Sequence, residues 1–122
     1  QREARELFLK RALPLIRQLG ETGIPAATHE LVRSLAAYRT VNPKQVFVEI
    51  GALVLAAERH GYQYESIAAD VLEKLVRQYF ADYADLLRSD TQCQEALLTV
   101  LNVFVGWPAM ARLTFRLGDV LR

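Results

Sequence analysis

The sequence holds a single cysteine, Cys93, and only two histidines, His29 and His60. One thiol excludes an intrachain disulfide and any multi-cysteine metal knot, and it fits a reducing, cytoplasmic setting. Long apolar runs are lacking too. The oiliest stretch, Ala96-Leu-Leu-Thr-Val-Leu-Asn-Val-Phe-Val105, is ten residues long, whereas a membrane-crossing helix needs about 20. No signal peptide is visible, and no membrane partner is expected. Net charge is nearly absent: fifteen basic and fourteen acidic residues leave +1. That balance gives no electrostatic footprint for nucleic acid. Nor is there a glycine-rich loop followed by Lys-Ser or Lys-Thr to cradle a phosphate.

What is present describes a helical protein. At 122 residues the chain is read as one domain, residues 1–122, long enough for a real core. It begins at Gln1 and not Met, so a fragment of a longer chain is expected. Eight of the ten residues in 96–105 are apolar, too many for a helix lying half in water. They belong in a helix enclosed by others, and the rest of the chain is organised round them.

In chain order, residues 2–19 read as an amphipathic helix with Ala4, Phe8, Ala12, Leu15 and Leu19 as its dry stripe, widened by Leu7 and Ile16. Pro14 removes one hydrogen bond and crowds the preceding turn, so a kink or short break is expected near Ala12–Leu13. A second helix opens at Pro25, a favourable first-turn position, and runs to about Tyr38, burying Ala27, Leu31 and Leu35. Asn42-Pro43-Lys44-Gln45 is a start signal with a capping box. The third helix buries Val46, Ile50, Leu53, Val54 and Ala57. Gly51 weakens a helix by up to about 1 kcal/mol against Ala, which points to a close helix–helix contact. A fourth helix, capped by Ser66, buries Ala68, Leu72, Leu75, Val76, Tyr79, Tyr83, Leu86 and Leu87, with a bend expected around Phe80–Tyr83. Unbroken to Arg88 it would be about 34 Å long. Asp90 caps the fifth helix, and Pro108 opens a sixth that turns Met110, Leu113, Leu117 and Leu121 inward. No segment alternates with period two for long enough to be a strand.

The fold class is therefore all-α: about six antiparallel helices forming three hairpins, 2–38, 43–88 and 91–121. Hairpin starts about 41 and 48 residues apart fit a short HEAT- or armadillo-like solenoid of 40–47-residue repeats, and a compact bundle explains the pattern nearly as well. The segments Gly61-Tyr-Gln-Tyr-Glu-Ser66, Gln78-Tyr-Phe-Ala-Asp-Tyr83 and Leu101-Asn-Val-Phe-Val-Gly-Trp-Pro108 resemble the C-terminal ends of large multidomain bacterial ATP-binding proteins, which close in HEAT-like helical arrays. The likeness spans roughly residues 60–122. It implies an accessory or scaffold region whose nucleotide-handling domain lies elsewhere.

Chemistry finds little support. Thr28-His-Glu-Leu-Val-Arg33 starts like a zinc-protease HExxH motif, but Arg33 stands where the second histidine ligand is needed. Cys93 falls in the first turn of its helix, where the dipole lowers a thiol pKa, yet no spacing brings a histidine to it. Asp82 and Asp85, and Asp70 and Glu73, lie on the expected wet face of the fourth helix. No catalytic residue, metal or cofactor is assigned.

Binding is the better expectation. Tyr62 and Tyr64 sit on a loop, Trp107 at a corner between helices, and Arg77 on an exposed helix face. These four are the candidate partner-binding residues, aromatic and arginine side chains being the usual anchors of interfaces. The leading reading is a non-enzymatic protein–protein interaction or scaffold module that docks a protein partner or an adjacent domain. A small-molecule-sensing bundle is the alternative, with Tyr79, Tyr83 and Asn102 orienting a ligand in an apolar pocket. A DNA-binding helix-turn-helix ranks lower, because the third helix needs Val46, Ile50, Leu53 and Val54 for burial.

Overall fold

The computed structural model describes residues 2–22, 25–59 and 69–121. It is all-helical, with eight helices and no strand among the described residues. They are α1 (Arg2–Gly20), α2 (Pro25–Ala36), α3 (Pro43–Arg59), α4 (Ala69–Asp82), α5 (Ala84–Ser89), α6 (Thr91–Val103), α7 (Pro108–Thr114) and α8 (Leu117–Val120). None is long and apolar enough to cross a membrane.

The architecture turns on α3 against α6, the pair in most extensive contact. Val46, Phe47, Ile50, Leu53, Val54 and Ala57 of α3 are buried, as are Cys93, Ala96, Leu97, Val100 and Leu101 of α6. The backbones approach closely at Gly51: a Cβ there would lie 2.8 Å from the Ala96 Cβ and 3.0 Å from its Cα. Glycine is needed because Ala96 already fills the gap. The close contact expected at Gly51 is thus present, and α6 supplies it.

Start signals act as the sequence suggests, with one change. Asn42 Oδ1 accepts the Gln45 N–H at 3.1 Å, and Asp90 Oδ2 accepts the Cys93 N–H at 2.9 Å. The Gln45 side chain does not complete a capping box. Its Nε2 donates instead to Glu49 Oε1, 3.1 Å away, because a buried carboxylate needs donors more than an exposed helix start does. Asp90 reaches a second helix: its Oδ1 lies 2.9 Å from Lys44 Nζ at the start of α3.

Several expectations need correcting. Of the kink or short break expected near Ala12–Leu13, the break does not occur: Pro14 sits inside one uninterrupted helix. Pro14 and Lys10, whose carbonyl loses its partner, are both exposed, so the unpaired carbonyl is on the solvent side, where its loss costs least. The fourth helix divides at Tyr83, whose backbone (φ −129°, ψ 32°) leaves the helical region between α4 and α5. Hydrogen bonds still cross this point, from Tyr83 N–H to Tyr79 O and from Leu87 N–H to Tyr83 O. The expected cap Ser66 lies outside the described residues. The sixth helix divides into α7 and α8, and Val120 is buried in place of Leu121. The apolar run is not walled in all round either: Leu98, Asn102 and Val105 are exposed. In α2 the deepest side chains are Thr28, Val32 and Leu35, while Ala27 and Leu31 are only half-buried.

Candidate interaction surface

Helix α1 carries two apolar stripes. Leu9, Leu13 and Gly20 form the inner one, and Gly20 lies so close to α3 that a Cβ there would collide with the Leu53 side chain. Arg17 fastens the same side: its Nε donates to Glu49 Oε1 at 2.9 Å, and its Nη2 lies 2.5 Å from the same oxygen. Glu49 is buried on α3, and this pair raises the Arg17 pKa above its ordinary value. A carboxylate out of water persists only when paired and hydrogen-bonded, so the bond fixes how α1 is rolled.

That roll turns the other stripe outward. Leu7, Phe8, Leu15 and Leu19 are 49%, 59%, 63% and 52% exposed. At 3.6 residues per turn the row Ala4, Phe8, Leu15, Leu19 lies roughly a third of a turn from the buried row. These are the residues expected in the core, and the structure places them at the surface. Phe8 stacks on Tyr38, just beyond α2, with ring centroids 5.7 Å apart. Tyr38 and Leu31 of the second segment are half-buried against the core. The outer row of α1 thus meets the end of the second segment at Phe8 and Tyr38. Single exposed apolar residues are normal, but three large ones in a row with Leu7 nearby make this face a candidate interaction surface. Leu98, Val105 and Phe115 are also exposed, scattered over α6 and the turns after α6 and α7.

The expected partner-binding residues are distributed differently. Tyr62 and Tyr64 lie outside the described residues. Arg77 pairs with Glu73 one turn earlier on α4. Trp107 is half-buried against the core and precedes Pro108 at the start of α7, its N–H donating to Phe104 O at 2.9 Å. That is packing at a corner.

The groups considered for chemistry are held in structural roles. Tyr79 is fully buried; its hydroxyl donates to Pro43 O at 2.7 Å, and its ring stacks on Phe47 at 4.3 Å. Burial drives its pKa well up, and neighbouring Tyr83 adds to this. Asn102 faces solvent, so Tyr79 and Asn102 do not converge as ligand-orienting groups. Cys93 is buried, and burial together with the Asp90 carboxylate pushes its thiol up to about 12. The helix start was expected to lower it; desolvation wins because the thiolate would have no water. The hydrogen bond from Lys44 and the one from the Cys93 N–H hold the Asp90 carboxyl below its usual range. His29 is half-buried on α2, and His60 lies outside the described residues.

Sequence reasoning missed the α1 surface because it assigned these side chains to the core. The available signal was the second, shorter row Leu9, Leu13, Ile16, Gly20, which shares the same period. Comparison with family models, curated proteins and solved structures gives no significant match.

Proposed function

We propose that this chain is a non-enzymatic helical scaffold module that binds a protein partner or an adjacent domain in a larger cytoplasmic assembly. One observation carries the reading: the outward-facing row Phe8, Leu15 and Leu19 on α1, with exposed Leu7 beside it. Exposing four large apolar side chains on one helix is unfavourable in water, and because each is already about half covered, covering the rest contributes about 1–1.5 kcal/mol apiece. A partner that covers them recovers that energy. The reading also takes the helices as stacked in the manner of a short HEAT-like solenoid. In its favour, α1 packs on α2, α2 on α3, and α6 on α7. Such stacks bury a core between neighbours and leave broad outer faces for partners.

A photo-crosslinking side chain at exposed Gln18, beside the stripe, tests this in the protein expressed in its own cell. The same group at exposed Asp82 on α4 is the control. A discrete protein adduct from Gln18, or a crosslink to another part of the same polypeptide, is expected, with none from Asp82. Adducts from neither position would remove the proposal's support.

A further inference from the structure

The apolar row on α1 has a charge border, and the border selects an occupant. On a helical projection Arg11 flanks the row Ala4, Phe8, Leu15, Leu19 on one side, separating it from Leu7, and Arg5 flanks it on the other; Glu6 falls on the far side, and Glu3 lies beyond Leu7. The acids near the helix start are partly engaged: Glu6 Oε1 lies 3.3 Å from Arg2 Nε. Among the described residues Arg5, Lys10 and Arg11 pair with no acid. Along its N-terminal half the row is therefore edged by unpaired bases, and its centre is apolar.

Shape narrows the choice further. Phe8 and Tyr38 stack where α1 meets the end of α2, so the row continues onto a second aromatic ring. From Ala4 to Leu19 the stripe is about 22 Å long at 1.5 Å per residue. A partner helix of four turns matches that length. With Arg5 and Arg11 alone beside the row, attraction to an anionic membrane would be worth only about 1 kcal/mol per residue.

Resting on the interaction reading above, we infer that the α1–α2 seam docks one amphipathic helix of a protein partner, whose apolar stripe is bordered by Asp or Glu. Its leucine-like side chains cover Phe8, Leu15 and Leu19, and its acids pair with Arg5 and Arg11. Complementary charge of this kind sets partner choice and orientation more than affinity.

The test uses fluorescent amphipathic peptides of about 18 residues, about 27 Å when helical, with one leucine stripe bordered either by Glu or by Lys. Anisotropy titrations against the purified chain should favour the Glu-bordered peptide by at least about ten-fold. Phe8→Ser and Leu15→Ser should each weaken that binding, and the double variant Arg5→Glu, Arg11→Glu should reverse the preference towards the Lys-bordered peptide. Circular dichroism confirms that the variants stay folded, which is expected because all four positions are exposed. Equal binding of both peptides, or binding of neither, overturns the inference. Crosslinks from Gln18 would still support an interaction module, so the two failures are distinguishable. Co-sedimentation with vesicles of anionic lipid that Phe8→Ser abolishes, without peptide selectivity, overturns it in favour of a lipid surface.

Discussion

Helices α1 and α3 are nearly equal in length, 19 and 17 residues, but α3 buries eight residues and α1 three. Both carry apolar residues at helical spacing. The difference is how many sides of each helix are occupied. α3 is packed against α1, α2 and α6, whereas α1 meets only α2 and α3 among its principal contacts. A helix with neighbours on several sides uses all its apolar residues internally. One with neighbours on a single side uses one row and shows the other. Periodicity reveals that a stripe exists; it does not say which of two stripes meets the core.

The comparison is broken most forcefully by deleting volume from α3. Phe47 is buried and stacks on Tyr79, so Phe47→Ala should destabilise the domain by about 3–5 kcal/mol, measured by urea denaturation. A loss under about 1 kcal/mol would mean that α3 is not the centre of the core. Gly51→Ala is the complementary insult, adding one methyl group where Ala96 leaves no room. Overpacking of this kind costs typically about 1–3 kcal/mol, although Ala is the better helix former. A stabilised variant would show that α3 and α6 are not closely apposed.

How much of this could be read from the sequence divides along the same line. The burial of Val46, Ile50, Leu53, Val54 and Ala57, the contact at Gly51 and the caps at Asn42 and Asp90 were legible, because each depends on local chemistry or on a residue enclosed from every side. The orientation of α1 was not, because it is decided by Glu49, 32 residues beyond Arg17. Nor did Gly or Pro mark the division at Phe115–Arg116. There Arg116 lies over the Phe80 ring, 5.4 Å from its centroid, and tertiary packing sets the bend. At Tyr83 the division replaced an expected bend, again where a buried aromatic side chain, Tyr79, contacts it. Of the four expected partner-binding residues, Arg77 is exposed beside Glu73, Trp107 is half-buried, and Tyr62 and Tyr64 lie outside the described residues; the outer row of α1 is built from residues whose hydrophobicity argued for burial.

A smaller effect sharpens the picture of how α3 and α6 are held at their starts. Asp90 both caps α6 and pairs with Lys44 of α3. Asp90→Ala removes both functions, whereas Asp90→Asn keeps an oxygen for the Cys93 N–H and loses only the charge. Thermal melts should therefore rank wild type above Asn and Asn above Ala. The pH dependence has a defined sign. Because the folded-state pKa of Asp90 is lowered, its charge stabilises the fold above the unfolded value of about 3.9. The wild-type advantage over Asp90→Asn then fades as pH falls through the lowered folded value. An advantage that grows on acidification would contradict the pairing with Lys44.

The least destabilising change is the most informative about α1. Leu15 is 63% exposed, so Leu15→Ser should alter the denaturation midpoint by no more than about 0.5 kcal/mol equivalent, the usual range for surface substitutions. Leu13, two residues earlier and buried, makes the matched control: Leu13→Ala should cost about 2–5 kcal/mol. Equal losses at the two positions would place both rows in the core and abolish the contrast between α1 and α3. Unequal losses, with Leu15→Ser also improving solubility at high concentration, would identify the outer row as a surface maintained for something other than the stability of this domain. A side chain that the fold does not need, repeated at Phe8, Leu15 and Leu19 along one helix face, then leaves that face free for the partner helix proposed above.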